Sequence, residues 1–246
     1  MSGHSKWHNI QAKKGKADAA RGKIFTKLGR EIAVAAKTNP NPDTNSKLAD
    51  VIAKAKAANM PNDNIERSIK RAAGELGDKD YKELTYEGYG VGGAAVIITT
   101  LTDNNNRTAG DVRAIMSKHG GSLGNTGCVS YMFDTKGYIA VERTPELSED
   151  EVTEYAIEAG AEDVVTQEDV FEIYTPVSEF SAARKYLEEK GLNFLQAEIS
   201  MIPQNKIVLD ADKLETFQKM LDKLDENDDV QDIYHNVELP EEDEEE

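Results

Sequence analysis

The chain has one cysteine, Cys128, and one tryptophan, Trp7, among 246 residues. A lone cysteine cannot close an internal disulfide, which excludes a stapled secreted scaffold and fits a reducing, cytoplasmic setting. No apolar run approaches the ~20 residues that a membrane-spanning helix needs. Met1 to Asn9 hold no apolar stretch of the kind a secretory signal requires, so none is expected. Metal-ligand spacing is also scarce. His4 and His8 lie four apart with no carboxylate or thiolate cluster beside them, and His119 and His235 are isolated. No Ser or Cys nucleophile has a base partner at motif spacing, and no carboxylate pair stands out from the abundant surface acid. Neither catalysis, a metal nor a cofactor is therefore expected.

What the sequence does have is charge, unevenly divided. The formal net charge is −17, yet residues 1–75 carry 15 Lys+Arg against 7 Asp+Glu, and the remainder 14 against 39. Residues 1–30 hold eight bases and a single acid, Asp18. Such asymmetry points to a basic module for polyanions joined to an acidic, solubilising body. At physiological salt the screening length is ~8 Å, so acid farther away than that cancels little of the attraction. Lys6, Trp7, Lys13, Lys14, Lys16, Arg21, Lys23, Lys27 and Arg30 are the candidate nucleic-acid contacts. The cations attract phosphate and release counterions, and Trp7 offers a plane on which a base can stack. A Trp7 that packs the arm onto its own domain is the competing reading.

Met1 to Lys16 has no periodicity and reads as an extended arm. Ile24, Phe25, Leu28, Ile32 and Ala35 recur at helical spacing, with Lys23, Lys27, Arg30 and Lys37 on the other side. Asn39-Pro40-Asn41-Pro42 ends that helix. Ser46 is the expected N-cap of a second helix carrying Leu48, Val51, Ile52 and Ala55. Pro61 opens a third, lined by Ile65, Ile69 and Ala72 and stopped at Gly74. Strands are then expected around Leu84 and Tyr86, at Ala94 to Leu101 and at Cys128 to Phe133, with a helix from Thr108 to His119. Tyr138 to Glu142, a helix capped by Ser148 and Glu151, Val164 to Thr166, Phe171 to Tyr174, a helix from Ser178 to Lys190, and Ala197 to Ile202 follow. That order, β-α-β-β-α-β, is ferredoxin-like. Ile207 to Leu209, a helix through Leu214, Phe217, Leu221 and Leu224, and Val230 to Tyr234 supply half a unit, which joins Ala94 to Phe133 as a split one. The expected class is α+β in three domains: a basic three-helix domain (1–78), a split ferredoxin-like domain (79–134 and 203–238), and a second inserted into it (135–202). An acidic tail (239–246) completes the chain.

Gly88-Tyr89-Gly90-Val91-Gly92-Gly93 satisfies the dinucleotide pattern G-x-G-x-x-G, but a strand follows it where the chemistry needs a helix N-terminus. The glycines read instead as a tight hairpin connection. Lys136-Gly137-Tyr138 matches the start of an RNA-recognition signature that Ile139 and Ala140 break, and reads as a hairpin turn. Thr102 to Thr108 is a polar loop leading into a helix. Asp103 or Asn106 can cap it, or free N–H groups beside Asn104, Asn106 and Arg107 can form a secondary phosphate site.

Gly3-His4-Ser5-Lys6-Trp7, Arg21 to Lys27, Glu87-Gly88-Tyr89-Gly90 and Asp103 to Thr108 resemble the YebC family. So do Gly120-Gly121-Ser122-Leu123-Gly124, Gly160 to Val164 and Tyr234-His235-Asn236. Val91 departs from the proline that usually follows Gly-Tyr-Gly. The resemblance implies a three-domain cytoplasmic protein without enzymatic activity: a DNA-binding transcriptional regulator, or a ribosome-associated translational activator that binds rRNA. A small-ligand sensor is supported by fold analogy alone.

Overall fold

The computed structural model describes residues 17–72 and 80–240, with side chains from residue 22. The arm Met1 to Lys16, the stop at Gly74 and the residues 241–246 lie outside the described residues. Three helices come first: α1 (Ala17–Ala36), α2 (Ser46–Ala57) and α3 (Asn62–Ala72). Leu28, Ile32, Ala35, Leu48, Ala55 and Ile65 form their buried core, with Phe25, Val51, Ile52 and Ile69 packed on it. Ile24, expected on that face, is exposed instead. Asn45, not Ser46, caps α2: its Oδ1 accepts from Leu48 N at 3.1 Å, while its Nδ2 donates to Ala35 O and Asn39 O. One side chain thus ends α1 and starts α2, which fixes their turn. Pro61 sits just before α3, its carbonyl accepting from Asn64 and Ile65.

The chain continues as β1 (Lys82–Tyr89), β2 (Ala95–Thr102), α4 (Asn105–Lys118), β3 (Ser122–Leu123) and β4 (Phe133–Glu142). It then gives α5 (Glu149–Glu158), β5 (Asp163–Thr166), β6 (Val170–Thr175), α6 (Phe180–Glu189), β7 (Phe194–Pro203), α7 (Ala211–Asp225) and β8 (Val230–His235). Two four-stranded antiparallel sheets result, ordered β3-β1-β2-β8 and β5-β6-β4-β7. The second is the expected ferredoxin-like unit, and its capping box of Ser148 and Glu151 is formed. Gly137 lies inside β4, not in a hairpin turn; a Cβ there would meet Thr175 Oγ1 and the Phe180 ring, so glycine lets α6 approach the sheet.

The first sheet corrects the strand assignment. Cys128 to Phe133 forms a loop and a short 3₁₀ turn (Ser130–Met132) ahead of β4, and Ile207 contributes only one bridge, to Val237. The slot between β3 and β2, which corresponds to that of β6 between β5 and β4, is filled by β1 from upstream in the chain. The split unit therefore has the sheet order of its neighbour with one strand supplied from the start of the unit instead of from its middle. Val112 and Met116 of α4 and Phe217, Met220, Leu221 and Leu224 of α7 cover one face of this sheet. Leu239, assigned to the tail in the sequence, is buried in the same cluster. On the other face Ala95, Ile97, Val129 and Phe133, with Met132, Met201 and Tyr234, make an apolar contact that joins the two sheets.

Candidate nucleic-acid interface

Lys6, Trp7, Lys13, Lys14 and Lys16 lie outside the described residues, and Arg21 is described only by its place in the α1 backbone. Lys23, Lys27 and Arg30 recur at i, i+4 and i+7 on α1, which makes them one stripe spanning ~10 Å of helix axis. Lys23 is exposed. The other two face the body. Lys27 Nζ donates to Asp225 Oδ1 at 2.7 Å, from the end of α7. Arg30 Nη1 donates to Asp229 Oδ1 at 2.8 Å and to the carbonyls of Leu101 and Asp228, at 3.1 and 2.5 Å. Its guanidinium also lies 5.3 Å from the centre of the Tyr81 ring.

Asp229 is the buried centre of this contact. Its Oδ2 accepts from Arg107 Nε and Nη2 at 3.2 and 2.7 Å, from Thr108 Oγ1 at 2.8 Å and from Thr102 Oγ1 at 3.3 Å. Burial pushes its carboxyl up, and donors from Arg107, Thr108 and Arg30 reverse this and hold it below the usual carboxylate range. Arg107 is held above its ordinary value by Asp229 and Asp103. The cap of α4 is Asn104, whose Oδ1 accepts from Arg107 N, and not Asp103 or Asn106. Asn106 is exposed. The Arg107 guanidinium thus already has carboxylate partners, and at the helix N-terminus the Arg107 and Thr108 N–H groups donate to Asn104.

A second polar contact lies where α1, α2, β7 and β8 meet. Lys54 Nζ sits 3.3 Å from Glu31 Oε1 and 3.4 Å from Glu198 Oε2. Burial works against the Lys54 cation, but Asp232, Glu31 and Glu198 together raise its pKa well above the ordinary value. One cation among three carboxylates leaves the cluster net negative. Burial, opposed by Lys54 and assisted by Asp232 and Glu198, pushes Glu31 up to about 7. A carboxyl whose pKa rises on folding stabilises fully below its unfolded value, and that contribution is lost as pH rises through about 7. Glu31→Gln should therefore flatten the decline in melting temperature between about pH 5 and 8, a decline worth up to ~3 kcal/mol. Parallel profiles for wild type and variant would contradict this. Nearby, Asp50 of α2 accepts from Arg184 Nε at 2.8 Å and from the Ser181 hydroxyl, both on α6.

The loop after β3 is organised by Glu87, a motif residue to which the sequence alone gives no role. Its buried carboxylate accepts from the backbone N–H groups of Gly127, Val129 and Ser130 at 2.8, 3.0 and 2.9 Å. Burial raises its pKa, but these donors more than compensate and hold it below the ordinary value. Three N–H groups turned toward one carboxylate are withdrawn from strand pairing, which explains the missing strand at Cys128. Cys128 is half-buried, and burial pushes its thiol up. Glu87→Gln turns a donor toward donors, so it is expected to cost about 1.5–3 kcal/mol and to accelerate amide exchange at residues 127–130 first. Unchanged exchange there would remove Glu87 from this role.

The glycine run connects antiparallel β1 and β2, with Gly90 N donating to Ala94 O at 2.7 Å and Gly92 at φ 71°. No helix follows to face a pyrophosphate. His119 Nδ1 lies 2.8 Å from Ile115 O, and His235 is buried edge-on to Phe217. Among the described residues no group of three His, Cys, Asp or Glu is placed to hold a metal, and no helix is long and apolar enough to cross a membrane.

Two family models match the sequence: "TACO1/YebC protein N-terminal domain" over residues 5–75 and "TACO1/YebC second and third domain" over 81–237. The chain is 60% identical over 242 residues to the "Probable transcriptional regulatory protein ORF2U" of Hathewaya histolytica, covering 98% of each. It is 58% identical to a Clostridium tetani protein also named "Probable transcriptional regulatory protein", covering 98% of this chain and 99% of that one. A crystal structure of a conserved hypothetical protein, Aq1575, from Aquifex aeolicus superposes with a TM-score of 0.82 at 47% identity. That match covers 93% of this chain and 95% of the other.

Proposed function

This chain belongs to the TACO1/YebC family, and from that membership we propose that it is a non-enzymatic DNA-binding transcriptional regulator working through its basic helical unit. The observation that carries the reading is the segregation of charge: 15 bases against 7 acids in residues 1–75 of a chain whose net charge is −17. The names of its relatives support a regulator. We assign the leading contacts to Lys6, Trp7, Lys13, Lys14, Lys16, Arg21 and Lys23. Lys27 and Arg30 are engaged by Asp225 and Asp229, and the Asn104–Arg107 segment belongs to the junction with the body.

No helix-turn-helix is invoked, so the attraction is to backbone phosphate, with position rather than sequence fixed by these contacts. The working division is a basic module, 1–78, and two acidic ferredoxin-like modules, 79–134 with 203–238 and 135–202, in a cytoplasmic protein. The same charge suits an RNA-lined cleft, which makes a ribosome-associated translation factor the alternative. Promoter footprinting and cosedimentation with ribosomes separate the two. Selective protection of one operator without ribosome association supports the regulator; ribosome association without protection overturns it in favour of rRNA.

A further inference from the structure

We propose that the acidic body is an internal competitor for the basic face of α1: the junction is a latch that polyanion binding opens, releasing Lys27 and Arg30 to join Lys23 as one continuous cationic stripe. The proposal rests on the reading of α1 as part of a polyanion-binding module.

Three observations carry it. First, the helical unit is attached differently from the sheets. The two sheets share an apolar cluster, whereas the buried cluster of the helical unit draws all its members from residues 25–72. What links that unit to the body is largely ionic: Lys27 with Asp225, Arg30 with Asp229, Lys54 with Glu198, Asp50 with Arg184, and Lys37 with Asp80. Such contacts are open to a competing polyanion in a way that apolar ones are not, and the more exposed of them, Lys27 with Asp225 and Lys37 with Asp80, weaken with salt.

Second, one member of each main pair keeps a counter-ion when the pair parts, and the other gains access to water. Asp229 keeps Arg107, Thr102 and Thr108 when Arg30 departs. Lys54 keeps Glu31 when Glu198 departs, and Arg184 keeps Glu188 at 3.0 Å when Asp50 departs. In two of the three, Asp229 with Arg30 and Arg184 with Asp50, the more buried member is the one with the second partner. A buried pair with no replacement would make opening costly; here that penalty is largely avoided.

Third, the groups that hold α1 are, like a phosphate backbone, a run of anionic and carbonyl oxygens on one short stretch of chain. The carboxylates of Asp225 and Asp229 and the Asp228 carbonyl come from five consecutive residues, and they engage two cations one turn apart on a helix face. Closed, the protein offers Lys23 and whatever precedes it; open, it offers three helix cations in line. By reciprocity, whatever loosens the latch strengthens polyanion binding by the same factor.

The test uses the full-length protein and a fluorescein-labelled 24-bp DNA duplex. Asp50→Asn combined with Asp225→Asn loosens the latch, and Glu146→Gln combined with Glu168→Gln, two exposed acids elsewhere, matches the charge change. At 150 mM KCl the latch variant is expected to bind about fivefold tighter than wild type or more, with the control variant close to wild type. Equal affinity of latch and control variants overturns the latch. Small-angle scattering reads opening without DNA: the wild-type radius of gyration should grow between 50 and 500 mM KCl, and the latch variant should start expanded. A wild-type radius unchanged over that range overturns the latch whatever the binding arm gives. Absence of duplex binding by all three proteins would count against the DNA-binding reading alone, and scattering would then decide the latch.

Discussion

Asp229→Ala is expected to produce the largest loss of stability of any single substitution at the junction, about 3 kcal/mol. Asp229 is 4% exposed, and its carboxylate accepts from Arg30, Arg107, Thr102 and Thr108. Alanine leaves Arg30, itself largely covered, with the Leu101 and Asp228 carbonyls and the Tyr81 ring, and leaves the Thr102 and Thr108 hydroxyls with one another and with the Asn104 backbone. The figure sits at the low end for removing one member of a buried ion pair because Arg107 is half exposed and regains water. Asp229→Asn should cost less, since its carbonyl still accepts one guanidinium, although its amide meets the other. Urea unfolding followed at the helical unit and at the sheets separately checks this. The first sheet and the α1 contact should weaken together, whereas β4 to β7 should hold. A loss below 1 kcal/mol would mean that Asp229 is an ordinary surface acid.

Replacing Lys6, Lys13, Lys14, Lys16 and Lys23 together by glutamine is expected to give the largest functional effect. If each neutralises one phosphate, five counterions are released on binding, and at 150 mM salt that release is worth on the order of 10³-fold in affinity. Circular dichroism serves as the control for folding, and Lys23, the one of the five that the structure describes, is exposed. The same substitutions applied to Lys47, Lys56, Lys70, Lys82 and Lys118, exposed elsewhere, should cost far less. Fluorescence anisotropy with the 24-bp duplex decides between a located arm and diffuse positive charge. Equal losses in the two sets would favour the diffuse reading.

The helices and the inserted ferredoxin-like unit were legible because their signals are local. The Ser148–Glu151 capping box and the 3.6-residue stripe of Leu28, Ile32 and Ala35 each depend on neighbours a few positions away. The rearranged sheet was legible only in part. The glycine run announced the hairpin of β1 with β2, but nothing in Lys82 to Tyr89 indicates that its other edge pairs with β3, because that partner is set by tertiary topology. Cys128 to Phe133 has strand composition, and the Glu87 carboxylate, some 40 positions upstream, takes its backbone donors. The same limit applied to the site. Counting charge along the chain located the basic module, but not that Lys27 and Arg30 face Asp225 and Asp229, roughly 200 residues on. The run Asp225 to Asp229 reads as a solvated acidic face, and Glu31, Lys54, Glu198 and Asp232 look like surface charges until the helices dock on β7 and β8.

The central claim is that a positively charged front end attracts polyanions despite the acidic mass behind it. The most direct check is the association constant of the intact protein for duplex DNA, measured between 50 and 300 mM KCl. A straight plot of log K against log salt with a slope near −4.5, as about five neutralised phosphates require, is the predicted result. Binding that is absent at the lowest salt, or indifferent to salt throughout, would contradict it.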